Sequence, residues 1–356
     1  MDKFKIDGQK LSYHVGRVSG WMEGNETYPI YVEISPSRAC NHRCAFCGLD
    51  FMQHAAKKLE TAMLKERLAE MGRLGVKSVM YCGEGEPFMH RDIAEIVTHT
   101  KKVAGIDVGI TTNGVLLTPA LAEEILGSVE WIKVSINGGS SGTYAKIHNT
   151  KEADFDKVIA NMKEARRIKD AAGHKCALGM QMLLLPENKL EAETLAKIAR
   201  DIGMDYLVIK PYSQHPQSDT EIYRDINYDD YMYLSEELAK YNNDSFSVVF
   251  RINSIKKHDL GVKGYSKCLA LPFMSYIDAD GAVWGCLDFQ ADQRFYYGNI
   301  YDNSFQQIWE GEPRKKSMKW VETEMKLGGC RVNCRLDEVN RYLWSLKTPP
   351  QHVNFI

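Results

Sequence analysis

The sequence has no long hydrophobic run, since no stretch approaches the roughly 20 apolar residues that a membrane-spanning helix needs. Its first residues, MDKFKIDGQK, also lack the apolar core of a secretory signal peptide. These two absences argue against a membrane protein and against export. We therefore expect a cytoplasmic protein that has no membrane partner.

The sequence also lacks an excess of charge of one sign. Its 45 basic and 47 acidic residues give a formal net charge of −2, so we expect no nucleic-acid partner. Internal repeats and low-complexity segments are lacking as well. The composition, 44% hydrophobic and 26% charged, is that of a globular protein, and 356 residues suggest two domains or one large domain with an appendage.

Cysteine, by contrast, is plentiful. Nine cysteines in a reducing compartment are more often metal ligands than disulfide partners. Three of them, Cys40, Cys44 and Cys47, fall in the run CNHRCAFC, just after the apolar stretch 30–34. Three thiolates give a cubic iron–sulfur cluster only three of its four protein ligands, so one iron is left open for chemistry. Structural zinc, with His42 as a fourth ligand, is the alternative.

Four more cysteines lie near the end of the chain with the spacing C-x17-C-x43-C-x3-C: Cys268, Cys286, Cys330 and Cys334. Four thiolates close a zinc site or saturate a [4Fe–4S] cluster, and the spacing alone does not separate these alternatives. The turn signal DADG at 278–281 predicts a β-hairpin between the first two cysteines. We interpret the remaining pair, Cys82 and Cys176, as small buried residues.

Between the two cysteine groups, strand-like and helical segments alternate. Strands are predicted at 30–34, 78–81, 107–111, 131–136, 177–185, 206–210 and 246–252. Strands separated by helices indicate parallel βαβ units. We therefore predict an α/β fold in which a partial (β/α)6 TIM-like barrel spans residues 28–259. An N-terminal extension (1–27) precedes it, and a smaller α+β domain (260–356) follows.

Polar and reactive residues gather after the first strands of this predicted sheet. The segment 40–47 follows the first strand, GEGEP (83–87) the second, and TNG (112–114) the third. Ligands of parallel α/β proteins bind at this carboxyl edge. Glycines let the backbone pass close to a ligand, and the carboxylate of Glu86 can accept bonds from an ammonium group.

The C-x3-C-x2-C spacing, with Phe46 before the last cysteine and GEP at 85–87, resembles the signature of the radical S-adenosylmethionine (SAM) superfamily. The resemblance implies a [4Fe–4S] cluster whose open iron binds SAM. It also implies a flavodoxin- or ferredoxin-like electron donor, and cleavage of SAM to methionine and a 5′-deoxyadenosyl radical. The chain departs from the family's GGEP pattern at Glu84, which replaces the first glycine.

We place the SAM contacts at six residues: Phe46, Gly85, Glu86, Asn113, Ser135 and Gln181. By resemblance, the GEP segment holds the amino group of SAM, and Asn113 and Ser135 lie near its ribose and carboxylate. Gln181 is a polar residue in an apolar strand, so it is either hydrogen-bonded in the core or faces the cavity.

The C-terminal hairpin and the following GNIYDNSFQQIW (298–309) resemble the SPASM/twitch extension of the same superfamily. Full SPASM domains carry two auxiliary clusters and more cysteines. The four cysteines here therefore imply the shorter, twitch-like version with one auxiliary [4Fe–4S] cluster.

These features favour an enzyme that oxidises or epimerises a small hydroxylated molecule, such as a sugar or a cyclitol. Arg251 is the first candidate for holding the substrate hydroxyl, and Lys210 and His215 are the other candidate catalytic residues. Two alternatives stay open. One is a radical SAM enzyme that modifies a precursor peptide, against which the short N-terminal extension argues. The other is a non-catalytic zinc-binding protein.

Overall fold

The computed structural model describes residues 3–260 and 263–355, apart from the side chains of 257–260. Its strands form one ten-stranded sheet in the order β10-β9-β8-β1-β2-β3-β4-β5-β6-β7. The strands are β1 (Tyr31–Ile34), β2 (Ser78–Tyr81), β3 (Asp107–Thr112), β4 (Trp131–Ser135), β5 (Ala177–Leu184), β6 (Tyr206–Pro211), β7 (Ser247–Phe250), β8 (Met274–Ile277), β9 (Ala282–Trp284) and β10 (Tyr296–Asn299).

The α-helices lie mainly between the strands. They are α1 (Val15–Met22), α2 (Thr61–Arg73), α3 (Ile93–Lys102), α4 (Pro119–Ile125), α5 (Ser141–His148), α6 (Glu152–Ala172), α7 (Ala192–Asp201), α8 (Leu234–Ala239), α9 (Ile252–Leu260), α10 (Phe305–Trp309), α11 (Glu312–Thr323) and α12 (Asp337–Lys347). Within the described ranges, none of these helices combines the length and the apolar character that crossing a membrane requires.

Strands β1 to β7 pair in parallel and in sequence order, which confirms the predicted partial barrel. Along each strand, alternate residues face the helices and the barrel interior. In β2, Val79 and Tyr81 belong to the core beneath the helices, where α2 contributes the fully buried Leu64 and Leu68. The other face of each strand is left for the interior, where polar residues occur.

Large side chains fill the amino-terminal end of the barrel. A Cβ at Gly109 would lie 2.3 Å from the Trp131 ring, and one at Gly179 would lie 2.2 Å from the Tyr206 ring. Glycine on one strand therefore makes room for an aromatic ring on the next. Phe4 packs on Tyr206 with a centroid distance of 5.5 Å, so the N-terminal segment closes this end and leaves the carboxyl end for ligands.

The chain beyond residue 263 extends the same sheet. Strand β8 pairs in parallel with β1, and the predicted hairpin of β8 and β9 is confirmed, with β10 as a third, antiparallel strand. The C-terminal cysteines are thereby attached to the barrel through continuous backbone hydrogen bonding.

Candidate functional site

The first cysteine group lies on the loop after β1, at the carboxyl edge of the sheet. The backbone N–H of Cys47 donates to the carbonyl of Cys44 over 3.1 Å, and the Arg43 guanidinium donates to the carbonyl of Cys40 over 2.7 Å. All three cysteines are free thiols. The loop thus holds three sulfur donors on a short, hydrogen-bonded turn.

These thiols need a nearby positive charge to ionise together. Burial raises the pKa of all three, that of Cys40 to about 11, and the other two cysteines raise the pKa of Cys44 further. A metal centre supplies the missing charge and holds thiols in the thiolate form. The donor set therefore fits the iron–sulfur cluster that its spacing predicts.

One imidazole, that of His148, lies directly behind this loop. Its Nδ1 is 3.4 Å from Cys44 Sγ, and its Nε2 accepts a hydrogen bond from the backbone N–H of Asn137 over 3.2 Å. Burial lowers the pKa of His148 well below its usual value, so the ring is neutral. Because Nε2 is the acceptor, the single proton is on Nδ1, and His148 donates an N–H···S bond to Cys44.

His42, the fourth ligand in the alternative interpretation as a zinc site, is buried beside His148. Its Nε2 lies 3.5 Å from Asp154 Oδ2. Donor atoms of His42, Cys44 and His148 lie within 4.8 Å of one another. This group uses only one of the three cysteines, and it needs the imidazole that already donates to Cys44, so within the described ranges it does not form the Cys3His set.

The GEGEP segment packs against the chain just before Cys40. A Cβ at Gly85 would lie 2.3 Å from the carbonyl oxygen of Ala39, so only glycine fits there. The backbone N–H of Glu86 donates to the same carbonyl over 2.9 Å. The close approach of these two backbones fixes the start of the cysteine loop.

The side chain of Glu86 joins the three predicted loops. Glu86 is 3% exposed, and its carboxylate accepts hydrogen bonds from the Thr112 hydroxyl over 2.6 Å and from the Asn113 N–H over 2.8 Å. Asn113 in turn donates from its side chain to Asn41 over 2.7 Å. Burial raises the pKa of Glu86. Glu86 and Asn113 therefore lie beside the first cysteine group.

The other predicted SAM contacts lie at the same edge. Ser135 and Gln181 are neighbours in register across β4 and β5, and neither side chain makes a hydrogen bond within the described ranges. Phe46 contacts the His148 ring edge-on, with centroids 5.5 Å apart. A hydroxyl and an amide are thus free to bind a ligand close to the cysteine loop.

Glu84, the departure from GGEP, connects the two halves of the chain. It is buried, pairs with Arg38 over 3.0 Å, and accepts a hydrogen bond from the Ala279 N–H over 3.2 Å and one from Gln290. Arg38 also pairs with Asp280 over 2.7 Å. Residue 84 therefore ties the first cysteine loop to the turn of the β8–β9 hairpin.

The four C-terminal cysteines line one cavity: Cys268, Cys286, Cys330 and Cys334. Asn340 donates from its side chain to Cys268 Sγ over 3.5 Å, and the Leu336 N–H donates to Cys334 Sγ over 3.4 Å. Burial raises the pKa of all four thiols. Four thiols that line one cavity, two of which accept N–H···S hydrogen bonds, fit a metal site in which protein ligands fill every position.

His215 lies between the two cysteine groups. Its ring stacks on Phe51, which follows the first group, at a centroid distance of 5.5 Å. Its Nε2 lies 3.9 Å from an oxygen of Asp288, two residues after Cys286, and its Nδ1 accepts a bond from the Gln217 N–H over 3.2 Å. Burial lowers the pKa of His215, so its neutral form is favoured.

Lys210 and Arg251 are neighbours at the ends of β6 and β7. Arg251 pairs with Asp7 of the N-terminal segment over 3.1 Å. Burial, reinforced by nearby cations, lowers the pKa of Lys210 well below its usual value. The structure thus brings Lys210 into the barrel interior, while the guanidinium of Arg251 already has a carboxylate partner.

Three charged residues in and beside the barrel interior were not predicted from the sequence: Glu33, Lys133 and Arg335. Arg335 pairs with the fully buried Glu33 over 2.6 Å. The position of Lys133 could have been predicted from the sequence, because it lies two residues before Ser135 on β4 and therefore on the same face of the strand. Arg335 and Glu33 come from opposite ends of the chain, so no local pattern joins them.

Two family models match the chain. That of the radical SAM superfamily matches residues 34–199, which include the first cysteine group and GEGEP. The SPASM model, for an iron–sulfur cluster-binding domain, matches residues 268–335, which include all four C-terminal cysteines.

Among curated proteins, the chain is similar to GTP 3′,8-cyclases. A probable GTP 3′,8-cyclase of Saccharolobus solfataricus is 34% identical over 136 residues, which cover 38% of this chain and 42% of that protein. The GTP 3′,8-cyclase of Chlorobaculum tepidum is 27% identical over 188 residues, 52% of this chain and 55% of that protein. The chain thus spans about half the length of these relatives.

Among solved structures, SuiB of Streptococcus suis bound to S-adenosylmethionine superposes with a TM-score of 0.68. The identity is 16%, over 95% of this chain and 79% of that one. Native anSMEcpe with bound AdoMet gives 0.60 at 15% identity, over 88% of each chain. At these identities the likeness shows the fold, a parallel partial barrel with a C-terminal extension.

Proposed function

The chain belongs to the radical SAM superfamily and carries a C-terminal SPASM iron–sulfur domain, and from this premise we propose that it oxidises an alcohol carbon of a small hydroxylated substrate. We further propose that the C-terminal cysteines hold one auxiliary [4Fe–4S] cluster, as in twitch-type enzymes, and that a flavodoxin- or ferredoxin-like protein supplies electrons. The similarity to GTP 3′,8-cyclases, which act on a small molecule, supports a small-molecule substrate.

The observation that supports this proposal best is the complementarity of the two cysteine groups. The first has three thiols and leaves a coordination position for SAM, whereas the second has four thiols in one cavity. When bound, the first cluster and SAM supply a radical that removes one hydrogen atom, and the second cluster supplies an acceptor for the electron that oxidation releases. The His215–Asp288 contact lies between the two groups.

The chain's own residues bind and orient the reactants. Gly85 and Glu86 hold the cysteine loop against the SAM site, and Ser135 and Gln181 present a hydroxyl and an amide to it. Oxidation of the alcohol carbon to a ketone also releases the hydroxyl proton. We propose that this proton passes to solvent at the carboxyl end of the barrel, where the ligand-binding loops lie.

Anaerobic incubation with SAM, dithionite and candidate substrates tests the proposal. We expect about eight irons per chain and 5′-deoxyadenosine in the reconstituted protein. With a substrate deuterated at the alcohol carbon, deuterium should enter 5′-deoxyadenosine, and the product should lack both that deuterium and the hydroxyl hydrogen. Stoichiometric zinc with no colour, or deuterium transfer from peptides alone, would overturn the proposal.

Epimerisation is a second candidate, favoured by Cys82 in the barrel interior. Its thiol donates to Glu33 over 3.4 Å, and a thiol at this position can return a hydrogen atom to a substrate radical. The thiyl radical left on Cys82 would then take one electron from the proposed flavodoxin- or ferredoxin-like donor and one proton from solvent. Epimerisation in D2O gives a product that carries one solvent deuterium at unchanged oxidation state. Cys82→Ala should abolish this label if epimerisation is the reaction and should leave oxidation in place if it is not.

A further inference from the structure

The barrel interior holds more positive than negative side chains. Five cationic groups lie near one another there: Lys133, Lys210, Arg251, Arg331 and Arg335. Each arginine has a carboxylate partner: Arg251 pairs with Asp7 over 3.1 Å, Arg331 with Asp288 over 3.6 Å, and Arg335 with Glu33 over 2.6 Å. Within residues 3–260 and 263–355, neither lysine has a carboxylate partner. Two amines are therefore left without a counter-ion.

Lys133 is fixed in this interior by its strand. It lies on β4 beside Gly179 of β5, and its ammonium lies over the Trp131 ring, 5.7 Å from the centroid. Burial, with the guanidiniums of Arg335 and Arg251, lowers the pKa of Lys133 to about 7. An ammonium group in such a site is unfavourable without an anion, and a bound anion would favour its charged form.

Lys210 lies on β6, which pairs with β5 on the side opposite to β4. It lies next to Leu183 of β5, and its amine has no hydrogen-bond partner in the described part of the chain. The carboxylate of Glu33, whose charge favours the ammonium form of Lys133, is already engaged by Arg335 and by the Cys82 thiol. Among the residues whose side chains the structure describes, neither lysine therefore has a free anion beside it.

We propose that Lys133 and Lys210 bind an anionic group, a phosphate or a carboxylate, on the substrate. That this anion is part of the substrate rests on the proposed function, whereas binding of the anion does not depend on turnover. Two residues along β4, Ser135 faces the same interior, about 7 Å away along the strand. An anion at Lys133 thus anchors a small molecule whose other end reaches the SAM site.

This anchor narrows the substrate class. A neutral sugar or cyclitol would leave both half-buried amines without a counter-ion, whereas a phosphorylated or carboxylated one would neutralise them. Charge-assisted hydrogen bonds to two lysines are among the stronger polar contacts available to a ligand. Phosphate binding sites that use lysine are common for this reason.

Isothermal titration of the reconstituted, SAM-saturated protein with inorganic phosphate, and separately with acetate, tests the site. We expect at least one anion to bind, and Lys133→Gln to weaken its binding by about tenfold or more, as for a hydrogen bond to a charged group. Phosphate binding alone indicates a phosphorylated substrate, and acetate binding alone a carboxylated one. Binding of neither anion would overturn the site.

Lys163→Gln is the matched control, because it makes the same chemical change on the exposed face of α6 and should leave binding unchanged. Lys133→Arg should restore binding. Anion binding that survives in Lys133→Gln would overturn the assignment. Should that variant fail to fold, Lys133→Met keeps the unbranched chain on Trp131 and gives the same comparison. Absence of 5′-deoxyadenosine from the wild-type protein would contradict the proposed function instead.

Discussion

The two cysteine groups differ in how the chain assembles them. The first takes all its thiols from one short loop, and the second takes them from three separate segments around β8, β9 and α12. Backbone N–H groups donate to sulfurs of both groups; a histidine adds an N–H···S bond in the first group, and a side-chain amide adds one in the second. A local loop can present an incomplete ligand set, whereas a complete set requires distant segments to meet.

The local group nevertheless depends on distant residues for its shape. Gly85 and Glu86 of the loop after β2 fix its start, and Glu84 links it to the hairpin that leads to the second group. The comparison therefore predicts that damage to the first group stops all chemistry. Damage to the second group should stop only the later part of the reaction.

Replacing Cys44 by alanine should have the largest effect. Two thiolates do not retain the cluster that binds SAM, so 5′-deoxyadenosine should fall to the non-enzymatic background in a chromatographic assay. Cys176→Ala is the control, since Cys176 is buried outside both groups. Normal 5′-deoxyadenosine formation by the Cys44 variant would contradict our assignment of this loop.

Replacing Cys286 by alanine should distinguish the functions of the two cysteine groups. Iron content should fall from about eight to about four per chain, SAM cleavage should persist, and oxidised product should disappear. Iron analysis and product mass spectrometry measure these outcomes. Full turnover in this variant would show that the second group takes no part in electron transfer.

Replacing Glu84 by alanine should weaken the link between the groups. Removing one partner of a buried ion pair costs about 3–5 kcal/mol, so the midpoint of urea unfolding should drop clearly. Glu66→Ala removes an exposed pair with Arg67 and should change stability by only about 0.5 kcal/mol. Equal effects of both variants would argue against the linking role of Glu84.

Replacing His148 by phenylalanine should have the smallest effect. Loss of one N–H···S bond to Cys44, worth about 1 kcal/mol, should lower the midpoint potential of the first cluster by roughly 40 mV, because the bond favours the more negative, reduced state. Potentiometric titration followed by electron paramagnetic resonance measures this change. His148→Gln, which can still donate, should shift the potential less, and identical shifts would contradict the hydrogen bond.

Much of the barrel was predictable from the sequence because its strands are buried apolar runs between helices. The third strand, for example, was predicted at 107–111 and spans Asp107–Thr112. The loops at the carboxyl edge could be placed together because parallel strands all end there. Glu86 and Asn113 do meet there, as expected for residues that follow neighbouring strands.

The charged interior was not predictable in the same way. The residues on one face of β4 are Trp131, Lys133 and Ser135. In the sequence, this alternation predicts a face exposed to solvent, and only the curvature of the sheet turns the face towards the barrel interior. The partner of Arg251 is Asp7, which lies 244 residues away. Contacts of this kind follow from the tertiary fold and leave no periodic pattern.

The position of β8 also has a consequence for the order of folding. β1 carries the first cysteine loop, yet one of its two neighbours is a strand that begins at Met274. During synthesis from the N-terminus, β1 has an open edge until most of the polypeptide has emerged, and such edges invite wrong pairing. The strand that carries the first cysteine loop therefore gains its second neighbour only after the late part of the chain has been synthesised. Iron delivery should accordingly follow translation rather than accompany it.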